Sequence, residues 1–400
     1  MRGGAGAPDW ATPLEEGGPE ALLLIPGPTP LAPEVLAALA RPPLSHTSPA
    51  AAQATRAIQA GVAAALGAAE DTVVHVVPGS GTLALESALV NLVEPGDRVV
   101  CCSQGFFGDR FAAIAGRLGA VVTHLQAPWG EAVDPGLVAA ALAEGPVRAV
   151  TVTHVDTATG VAAPLAGAAQ AVRDHDALLV VDAVASAGGM PVEMARLGID
   201  VVASSSQKAL AMPAGLALVA VGARARARRA QRAGLFTTYL DWALWDPVMA
   251  EPTGYFATPA VNLLVAGAVA VGRAEREGWT ARFERHRALA LAARAGLGAL
   301  GLHPAAAPGA ELAATLSAVR VPAGVDPQRL REAVQAEGVV IAGGLGPWAA
   351  DTVRLGHMGE VRLAELLRGL SAVERALASL GARAVDGAGV AALLAAAPPG

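Results

Sequence analysis

One stretch decides how the sequence is interpreted, Val201-Val-Ala-Ser-Ser-Ser-Gln-Lys-Ala-Leu210. It contains Lys208, the only lysine among 400 residues, whereas every other basic side chain apart from histidine is an arginine. Arginine stays protonated, but a desolvated lysine can lose its proton and act as an amine nucleophile. A chance surface lysine is the alternative, yet Lys208 follows an apolar, strand-like stretch and three serines. We therefore predict that Lys208 is a reactive amine at the end of a buried strand.

The composition is that of a large globular chain. With 53% hydrophobic and 16% charged residues, its 400 residues can bury a sizeable core and divide into two domains. The net charge of -6 argues against nucleic acid as a main partner. No apolar stretch has both the length, about 18 residues, and the flanks of a membrane span. The first nine residues lack the apolar core of a signal peptide, so we expect neither a membrane partner nor secretion.

The two cysteines, Cys101 and Cys102, are adjacent at the end of a strand-like run. Neighbouring cysteines do not form an ordinary structural disulfide with each other, and two ligands do not complete a zinc site. We therefore expect reduced thiols, no bound metal and a cytoplasmic location.

Apolar runs alternate with helical segments over the first half of the chain. The runs predict strands at 73–77, 98–102, 121–124, 148–153, 178–182, 200–204 and 215–221. Continuous Val, Leu and Ala runs separated by helices are typical of a parallel sheet that is covered on both faces. A long helix at 261–277 then leads to an α+β pattern with strands at 314–321, 338–341 and 352–355. The prediction is an α/β protein with a smaller α+β domain at its C-terminal end.

These patterns also predict the domain boundaries. Residues 1–20 are rich in Gly and Pro and are expected to form a flexible arm, and residues 21–265 the large domain. Residues 266–385 are expected to form the small C-terminal domain, with a frayed tail at 386–400.

Three polar groups follow predicted strands, at the ends where α/β sheets bind ligands. Gly79-Ser-Gly-Thr82 opens a helix and can bind an anion, although an ordinary glycine turn fits equally well. Asp182 ends a strand, where it caps a turn or holds a proton on a heterocyclic nitrogen. In His154-Val-Asp-Thr-Ala-Thr-Gly160, the histidine is more often a packing residue, and the threonines can cap a turn.

A fourth group, Arg354, is embedded in a strand-like stretch of the small domain. It is either part of a structural ion pair or a planar clamp for a carboxylate, and the sequence favours neither. Together, Lys208, Asp182, the helix start and Arg354 suit pyridoxal phosphate chemistry. In that chemistry a lysine forms a Schiff base, an aspartate keeps the ring nitrogen protonated and a helix start holds the phosphate.

The chain resembles the class V aminotransferases of fold type I, and within them the alanine–glyoxylate and serine–glyoxylate aminotransferase group. The resemblance runs from about residue 22 to residue 377. The motifs that carry it are Leu22-Leu-Leu-Ile-Pro-Gly-Pro28, Gly79-Ser-Gly-Thr82, Thr153-His-Val-Asp-Thr-Ala-Thr-Gly160, Val181-Asp-Ala-Val-Ala-Ser186, Ser205-Ser-Gln-Lys-Ala-Leu210, Gly343-Gly-Leu-Gly-Pro347 and Val353-Arg-Leu-Gly-His-Met-Gly359.

The resemblance implies a role for each matching residue. Lys208 is similar to the Schiff-base lysine and Asp182 to the partner of the pyridinium nitrogen. The implied phosphate ligands are Ser80, Gly81, Thr82 and Gln207. Thr157 matches a hydroxyl residue beside the ring oxygen, Phe107 the aromatic that stacks on the ring, and Arg354 the arginine that binds the substrate carboxylate.

The resemblance also implies a homodimer with shared active sites. Tyr255 and Thr258 match phosphate contacts that relatives receive from the neighbouring subunit. Two positions depart from close relatives, which often carry tryptophan or tyrosine at Phe107 and histidine at Thr82. Phe107 keeps a stacking face but has no polar group. These departures leave the cofactor unchanged and bear on the substrate.

The implied reaction moves an amino group from a small amino acid, alanine or serine, to glyoxylate or a similar oxo acid. Ureidoglycine–glyoxylate and pyridoxamine–pyruvate aminotransferases are the alternatives within the family. The second uses free pyridoxamine, so its phosphate pocket should be altered, and the intact phosphate-site residues of this sequence count against it. A cysteine desulfurase would need a reactive cysteine in the later half of the chain, where there is none. An inactive binding homologue is a further alternative, and the intact Lys208, Asp182 and Arg354 argue against it.

Overall fold

The computed structural model describes residues 21–382 and 386–397. The strands within these residues are β1 (Leu22–Leu23), β2 (Val73–Pro78), β3 (Arg98–Ser103), β4 (Val121–Gln126), β5 (Ala149–Thr153), β6 (Val155–Asp156), β7 (Val161–Ala162), β8 (Leu178–Asp182), β9 (Val201–Ser205), β10 (Leu216–Val221), β11 (Leu316–Arg320), β12 (Val339–Val340), β13 (Ala342–Gly343) and β14 (Thr352–Gly356).

The helices of the same residues connect and cover these strands. They are α1 (Pro33–Leu39), α2 (Pro49–Leu66), α3 (Gly81–Leu92), α4 (Phe106–Arg117), α5 (Pro135–Ala143), α6 (Leu165–Val172), α7 (Met194–Leu197), α8 (Ala223–Ala230), α9 (Trp242–Ala250), α10 (Val261–Glu277), α11 (Trp279–Ala299), α12 (Pro327–Ala336), α13 (Leu363–Ser379) and α14 (Ala388–Ala396). None of these helices combines the length and the apolar character that crossing a membrane requires.

The main sheet has seven strands in the order β2-β10-β9-β8-β5-β3-β4. Strands β9, β8, β5, β3 and β4 run parallel, whereas β10 is antiparallel to both β2 and β9. The predicted α/β fold with a mostly parallel sheet is confirmed. The parallel order brings the carboxyl ends of β5, β8 and β9 to one edge, and this edge carries Asp182 and the turn with Lys208.

Both faces of the sheet are buried, which explains the unbroken apolar runs of the sequence. Val100 and Leu179 face helices α2, α5, α6 and α10. Their chain neighbours Val99 and Leu178 point to the opposite face and pack with Leu85 of α3 and other residues of α3 and α4. Successive side chains of a strand alternate between faces, so a strand that is covered on both faces carries apolar side chains at most positions.

The boundaries of α2 follow from its capping residues. The Ser48 side chain accepts a hydrogen bond from the N–H of Ala51 at 3.2 Å, and Pro49 occupies the first helical position. The helix ends at Gly67, whose φ of 59° is left-handed and suits a residue without a Cβ. The sequence predicts both ends.

The C-terminal unit has its own core and a three-stranded sheet in the order β11-β14-β13. Strand β1 pairs in parallel with β12, and Leu24 is fully buried in this second core. The sequence assigns residues 21–265 to the large domain, but the first described residues pack with the C-terminal unit instead. The pairing is only two residues long, so it leaves no periodic pattern in the sequence.

The frayed tail expected from residue 386 is wrong for most of its length. Residues 388–396 form α14, which packs against α11, and Leu393 is fully buried. The sequence did not predict this helix, because its alanine-rich composition has no clear apolar periodicity and Leu393 is its one large buried side chain. The expected arm at 1–20 lies outside the described residues, and the other domain boundaries stay predictions.

Candidate active site

A cavity of about 150 Å³ lies at the carboxyl edge of the main sheet. Its walls come from the starts of α3 and α4 and from the segments that follow β5, β8 and β9. The lining residues are Ser80, Gly81, Thr82, Leu85, Phe107, Arg110, Val155, Thr157, Asp182, Val184, Ala185, Gln207 and Lys208. The structure therefore brings together eight residues that the sequence singles out: Ser80, Gly81, Thr82, Phe107, Thr157, Asp182, Gln207 and Lys208.

Two larger grooves, of about 500 and 450 Å³, lie at the opposite, amino edge of the sheet. Most of their charged residues are already paired within the protein, as in the ion pairs Asp200–Arg224 and Asp97–Arg148. Paired charges are typical of structural contacts rather than of a binding site. The smaller cavity with Lys208 is therefore the candidate active site, although it is not the largest.

Lys208 lies in the turn after β9, and the start of the chain holds it in place. Its Nζ donates a hydrogen bond to the carbonyl of Pro26, and its own carbonyl accepts one from Thr29 Oγ1 at 3.1 Å. Burial and the charge of Arg354 lower the pKa of Lys208 to about 8, although Asp182 acts in the opposite direction. Near physiological pH a substantial minority of the amine is therefore neutral, whereas an ordinary lysine is almost fully protonated, and the neutral form is the one that acts as a nucleophile or general base.

Gly27 makes this contact possible because it has no side chain. It adopts a φ of 95°, and a Cβ there would lie 2.5 Å from Cδ of Lys208 and 3.0 Å from the Gln207 carbonyl. We expect Gly27→Ala to lower the free energy of unfolding by the left-handed strain, about 1–3 kcal/mol, and by the clash with Lys208. Urea unfolding of the purified variant measures the loss.

Gly96→Ala is the matched control, because Gly96 has a φ of 88° and nothing within 4 Å of its added Cβ. The Gly96→Ala variant therefore has the backbone strain of a left-handed alanine without a side-chain clash. In a Lys208→Ala background, the cost of Gly27→Ala should fall toward that of Gly96→Ala. An equal cost of Gly27→Ala with and without Lys208 would contradict the contact.

Asp182 ends β8 and is almost fully buried. Its Oδ1 accepts a hydrogen bond from the N–H of Val184 at 2.9 Å. Burial raises the pKa of this carboxyl to about 7, and the Val184 N–H and the charges of Lys208 and Arg110 offset only part of the effect. A bound group that brings a positive charge or a donor N–H would stabilise the ionised form of this buried carboxyl.

The segment around α3 has the geometry of an anion site. Ser80 is the N-cap of α3 but makes no side-chain capping bond, so its hydroxyl is available. Gly81 packs closely against the loop that follows β8, because a Cβ at this position would be 2.9 Å from the Val184 side chain. The Gln207 Oε1 is buried without a hydrogen-bond partner among the described residues. A buried amide oxygen without a partner is costly, which indicates that something else completes this site.

Phe107 is positioned by a residue that the sequence does not single out. Asp156 is fully buried, and its Oδ2 accepts hydrogen bonds from the N–H groups of Phe107 at 2.7 Å and Gly108 at 3.2 Å. This carboxylate fixes the start of α4 and therefore the ring that faces the cavity. The signal was present in the sequence, because Asp156 lies in the strand-end motif beside Thr157.

Arg110 is a second cavity residue that sequence reasoning missed. Its guanidinium lies 5.0 Å from the centre of the Phe107 ring and donates a hydrogen bond to Thr82 Oγ1 at 2.9 Å. In the sequence it is one arginine among many on a helix and indicates only a solvated face. The structure places a positive charge at the rim of the anion site.

Arg354 reaches the cavity region from β14 of the C-terminal unit. Its Nε donates to the carbonyl of Gly343 at 2.7 Å, and its Nη1 donates to the carbonyl of Thr157 at 2.9 Å. The described residues form no ion pair with it. Of the two readings that the sequence left open, the carboxylate clamp therefore fits this geometry better than a structural ion pair. Burial lowers the pKa of Arg354 to about 10, and the guanidinium remains charged.

Tyr255 and Thr258 do not line the cavity of their own chain. Tyr255 is 62% exposed, and its Oη lies 3.4 Å from Thr258 Oγ1. The resemblance assigns these two residues to the phosphate site of a neighbouring subunit and not to that of their own chain. Their exposure agrees with contacts that would be made to a second copy of the chain.

A family comparison matches this architecture. Residues 28–363 fit the model of the family Aminotransferase class-V. The chain belongs to this family, and its fold is that of an aminotransferase. The resemblance inferred from the motifs is confirmed.

Individual relatives cover nearly the whole chain. A protein described as the small subunit of a soluble hydrogenase from Synechococcus sp. (strain PCC 6716) is 37% identical, over 93% of this chain and 97% of its own. The structure of ureidoglycine–glyoxylate aminotransferase from Bacillus subtilis is 28% identical with a TM-score of 0.89, and covers 94% of this chain and 98% of its own. An alanine–glyoxylate aminotransferase structure from Nostoc sp. is 31% identical with a TM-score of 0.86, and covers 90% and 96%.

Proposed function

We propose that this aminotransferase uses pyridoxal 5'-phosphate, held in the cavity beside Lys208. The donors and acceptors of the cavity fit that group. The buried carboxyl of Asp182 suits a protonated ring nitrogen, and the side-chain amide of Gln207, whose Oε1 has no partner among the described residues, can turn its N–H donors toward an anion. The start of α3 and the nearby Arg110 suit a phosphate. These features support the cofactor independently of the family.

Each residue then has a role. Lys208 would bind the cofactor covalently through Nζ, and Asp182 would keep its ring nitrogen protonated. Phe107 would stack on the ring, and Thr157 would lie beside the ring oxygen. Ser80, Gly81, Thr82 and Gln207 would hold the phosphate. When bound, the cofactor supplies an aldehyde carbon for the transferred amino group and an electron-withdrawing ring.

The reaction needs a base at the substrate Cα, and Lys208 is the group that can supply it. Its lowered pKa, about 8, leaves a neutral Nζ that can take the Cα proton and later return it. Arg354 orients the substrate, because two backbone carbonyls fix its guanidinium and the remaining N–H groups can bind a carboxylate. Together these residues select an α-amino acid and activate the Cα–H bond.

Arg354→Lys tests the carboxylate clamp. An ammonium cannot keep both carbonyl contacts and also bind a carboxylate with two hydrogen bonds. We expect KM for the amino donor to rise by about 10- to 100-fold, as for the loss of a charged hydrogen bond, with a smaller change in kcat. Steady-state kinetics with the donor varied gives both constants.

The matched control is Arg320→Lys. Arg320 lies on β11 beside β14 and pairs with Asp351 at an exposed position. The KM of the Arg320→Lys variant for the amino donor should stay at the wild-type value. The clamp is wrong if Arg354→Lys leaves KM unchanged or if both variants raise it equally.

We further propose a homodimer in which Tyr255 and Thr258 complete the phosphate site of the second copy. Their exposure, and the distance of 3.4 Å between their hydroxyl oxygens, support a shared contact of this kind. Mixing inactive Lys208→Ala chains with inactive Tyr255→Ala chains tests the sharing. Heterodimers should regain activity at one of their two sites, whereas sites built within one chain would show no gain.

The proposed reaction transfers an amino group from alanine or serine to glyoxylate or a similar small oxo acid. The single observation that carries aminotransfer is the convergence of Lys208, Asp182 and Arg354 at one edge of the sheet. Ureidoglycine is the second amino donor to consider, because the Bacillus subtilis aminotransferase named for it is so similar in structure.

A donor-by-acceptor panel tests this assignment. Adding alanine or serine alone to cofactor-loaded protein should change the absorbance of the Lys208-linked cofactor, and glyoxylate should restore it. Ureidoglycine, aspartate and free pyridoxamine belong in the same panel, aspartate because Arg110 adds a positive charge to the cavity. If no amino donor changes the spectrum, aminotransfer is wrong.

A cysteine desulfurase does not fit the two thiols. Cys101 and Cys102 are buried in β3, and burial raises their pKa values to about 11 and about 12. Neither forms a thiolate that could accept sulfur. Free, buried thiols support our proposal of a cytoplasmic location.

The hydrogenase name of one relative has no counterpart in the described residues, which contain no group of three or more His, Cys, Asp or Glu placed to hold a metal ion.

A further inference from the structure

One buried arginine outside the cavity contacts three catalytic segments at once. Arg282 lies on α11, and its side chain is only 1% exposed. Its Nε donates to the carbonyl of Gly188 at 3.1 Å, and its Nη2 donates to those of Ala209 at 2.8 Å and Gly359 at 3.4 Å. Nothing in the sequence pattern of α11 distinguishes this arginine from the others on the helix.

Each of these carbonyls belongs to a segment that carries an active-site residue. Gly188 lies in the loop that follows Asp182, and Ala209 is the residue after Lys208. Gly359 lies in the loop that follows Arg354. Arg282 therefore binds all three segments of the proposed catalytic set, and it does so without lining the cavity itself.

The charge of Arg282 is neutralised where it lies. Its Nη1 is 2.8 Å from Glu277 Oε2 and 3.5 Å from Glu360 Oε1. Glu277 ends α10 and also binds Arg285 and Arg362, so the ion cluster joins the end of α10, α11 and the start of α13. A buried guanidinium with carboxylates and carbonyls on its N–H groups is held in one geometry.

His286 adds a second link between α11 and the same loop. Its Nδ1 donates to the carbonyl of Arg282 at 2.7 Å, and its Nε2 accepts a hydrogen bond from the N–H of Gly359 at 3.0 Å. Both the N–H and the carbonyl of Gly359 are therefore bound by α11. A movement of α11 would shift the loop after Arg354 together with the residue after Lys208.

We propose that Arg282 is a positioning residue that sets Lys208, Asp182 and Arg354 at their mutual distances. This inference rests on the proposed function, because it assigns those three residues to one reaction. A misplacement of about 1 Å can cost about 100-fold in rate, so a support of this kind affects catalysis beyond stability. A lysine at the same position has one ammonium and cannot reach three carbonyls and two carboxylates.

The test compares Arg282→Lys with Arg229→Lys. Arg229 is also a buried arginine, with a side chain 7% exposed and an ion pair to Asp241 at 2.6 Å, but it lies on α8 and contacts no cavity segment. For both variants, the thermal midpoint, kcat and the spectroscopic pH titration of the Lys208–cofactor linkage are measured. The titration reports the surroundings of Lys208, which a loss of stability elsewhere does not move.

We expect Arg282→Lys to shift the titration midpoint by about one pH unit and to lower kcat by about 10-fold or more. Arg229→Lys should lose a similar amount of stability with an unchanged midpoint and kcat. The positioning role is wrong if the two variants behave alike at equal loss of stability. If Arg282→Lys does not fold, Glu277→Gln replaces it, and an unchanged midpoint in that variant overturns the proposal.

The outcomes separate the two levels of inference. If the wild-type protein carries no borohydride-reducible bond at Lys208, the proposed function fails before Arg282 is tested. If the wild type carries that bond and Arg282→Lys shows the wild-type midpoint and kcat, only the positioning role fails.

Discussion

Replacing Lys208 with alanine is expected to remove both the covalent link to the cofactor and nearly all turnover. The variant loses the only side-chain amine of the chain and the proposed base for the Cα proton. General acid–base catalysis alone contributes about 10²- to 10⁴-fold, so we expect kcat to fall by at least about 10³-fold. Because no other lysine exists, a borohydride-reduced tag can lie on only one lysine-containing peptide, and mass spectrometry of the digested protein locates it.

The control for charge is Lys208→Arg. An arginine keeps the positive charge but stays protonated and forms no such bond. It should therefore be as inactive as Lys208→Ala and carry no tag. Substantial turnover in either variant, or a wild-type protein without a tag on this peptide, would refute the role of Lys208.

Asp182→Asn is expected to produce an enzyme that is more stable and far less active. An asparagine keeps the acceptor for the Val184 N–H but cannot hold a proton on the ring nitrogen with a negative charge. Removing a preorganised electrostatic group of this kind costs about 10²- to 10³-fold in kcat. The lysine link should survive, because Lys208 is untouched, so the borohydride tag separates this defect from loss of the cofactor.

The gain in stability should appear in cofactor-free protein and depend on pH. The pKa of Asp182 is about 7 when folded, against 3.8 for the ordinary group, so ionisation is penalised in the folded state. The penalty is absent below about pH 4, grows as the pH rises and is complete above about pH 7, where it is at most about 4 kcal/mol. The melting temperature of Asp182→Asn should therefore exceed that of the wild type more at pH 8 than at pH 5.

Asp241→Asn provides the contrast. Asp241 is another buried aspartate, but it binds Arg229 with both carboxylate oxygens. Its loss leaves a buried arginine without a full partner, so this variant should be less stable than the wild type. If Asp182→Asn also loses stability at pH 8, the carboxyl of Asp182 is not strained by burial as we infer.

The sequence predicts the sheet and the ends of its strands because both depend on local patterns. Unbroken apolar runs identify a sheet that is covered twice, and polar residues at the ends of those runs identify Asp182 and Thr157. Lys208 was identified for a different reason: the composition replaces lysine by arginine wherever charge alone matters. These signals need no knowledge of the tertiary structure.

Contacts between distant segments were not predictable in the same way. Pro26 and Thr29 reach Lys208 across about 180 residues of chain, and the pairing that brings them there is two residues long. Arg110 and Arg282 are arginines on arginine-bearing helices, so only packing distinguishes them from solvated charges. The α14 helix was missed because an alanine-rich end has the same composition whether or not it is packed.

The pairing of β1 with β12 also determines when the active centre can be completed during biosynthesis. The residues that hold Lys208 are made about 300 residues before the strand that anchors them. Until then, the apolar segment at Leu22–Leu24 has no partner strand, and the amine of Lys208 lacks its carbonyl neighbour. The catalytic centre can therefore mature only after β12 has been synthesised.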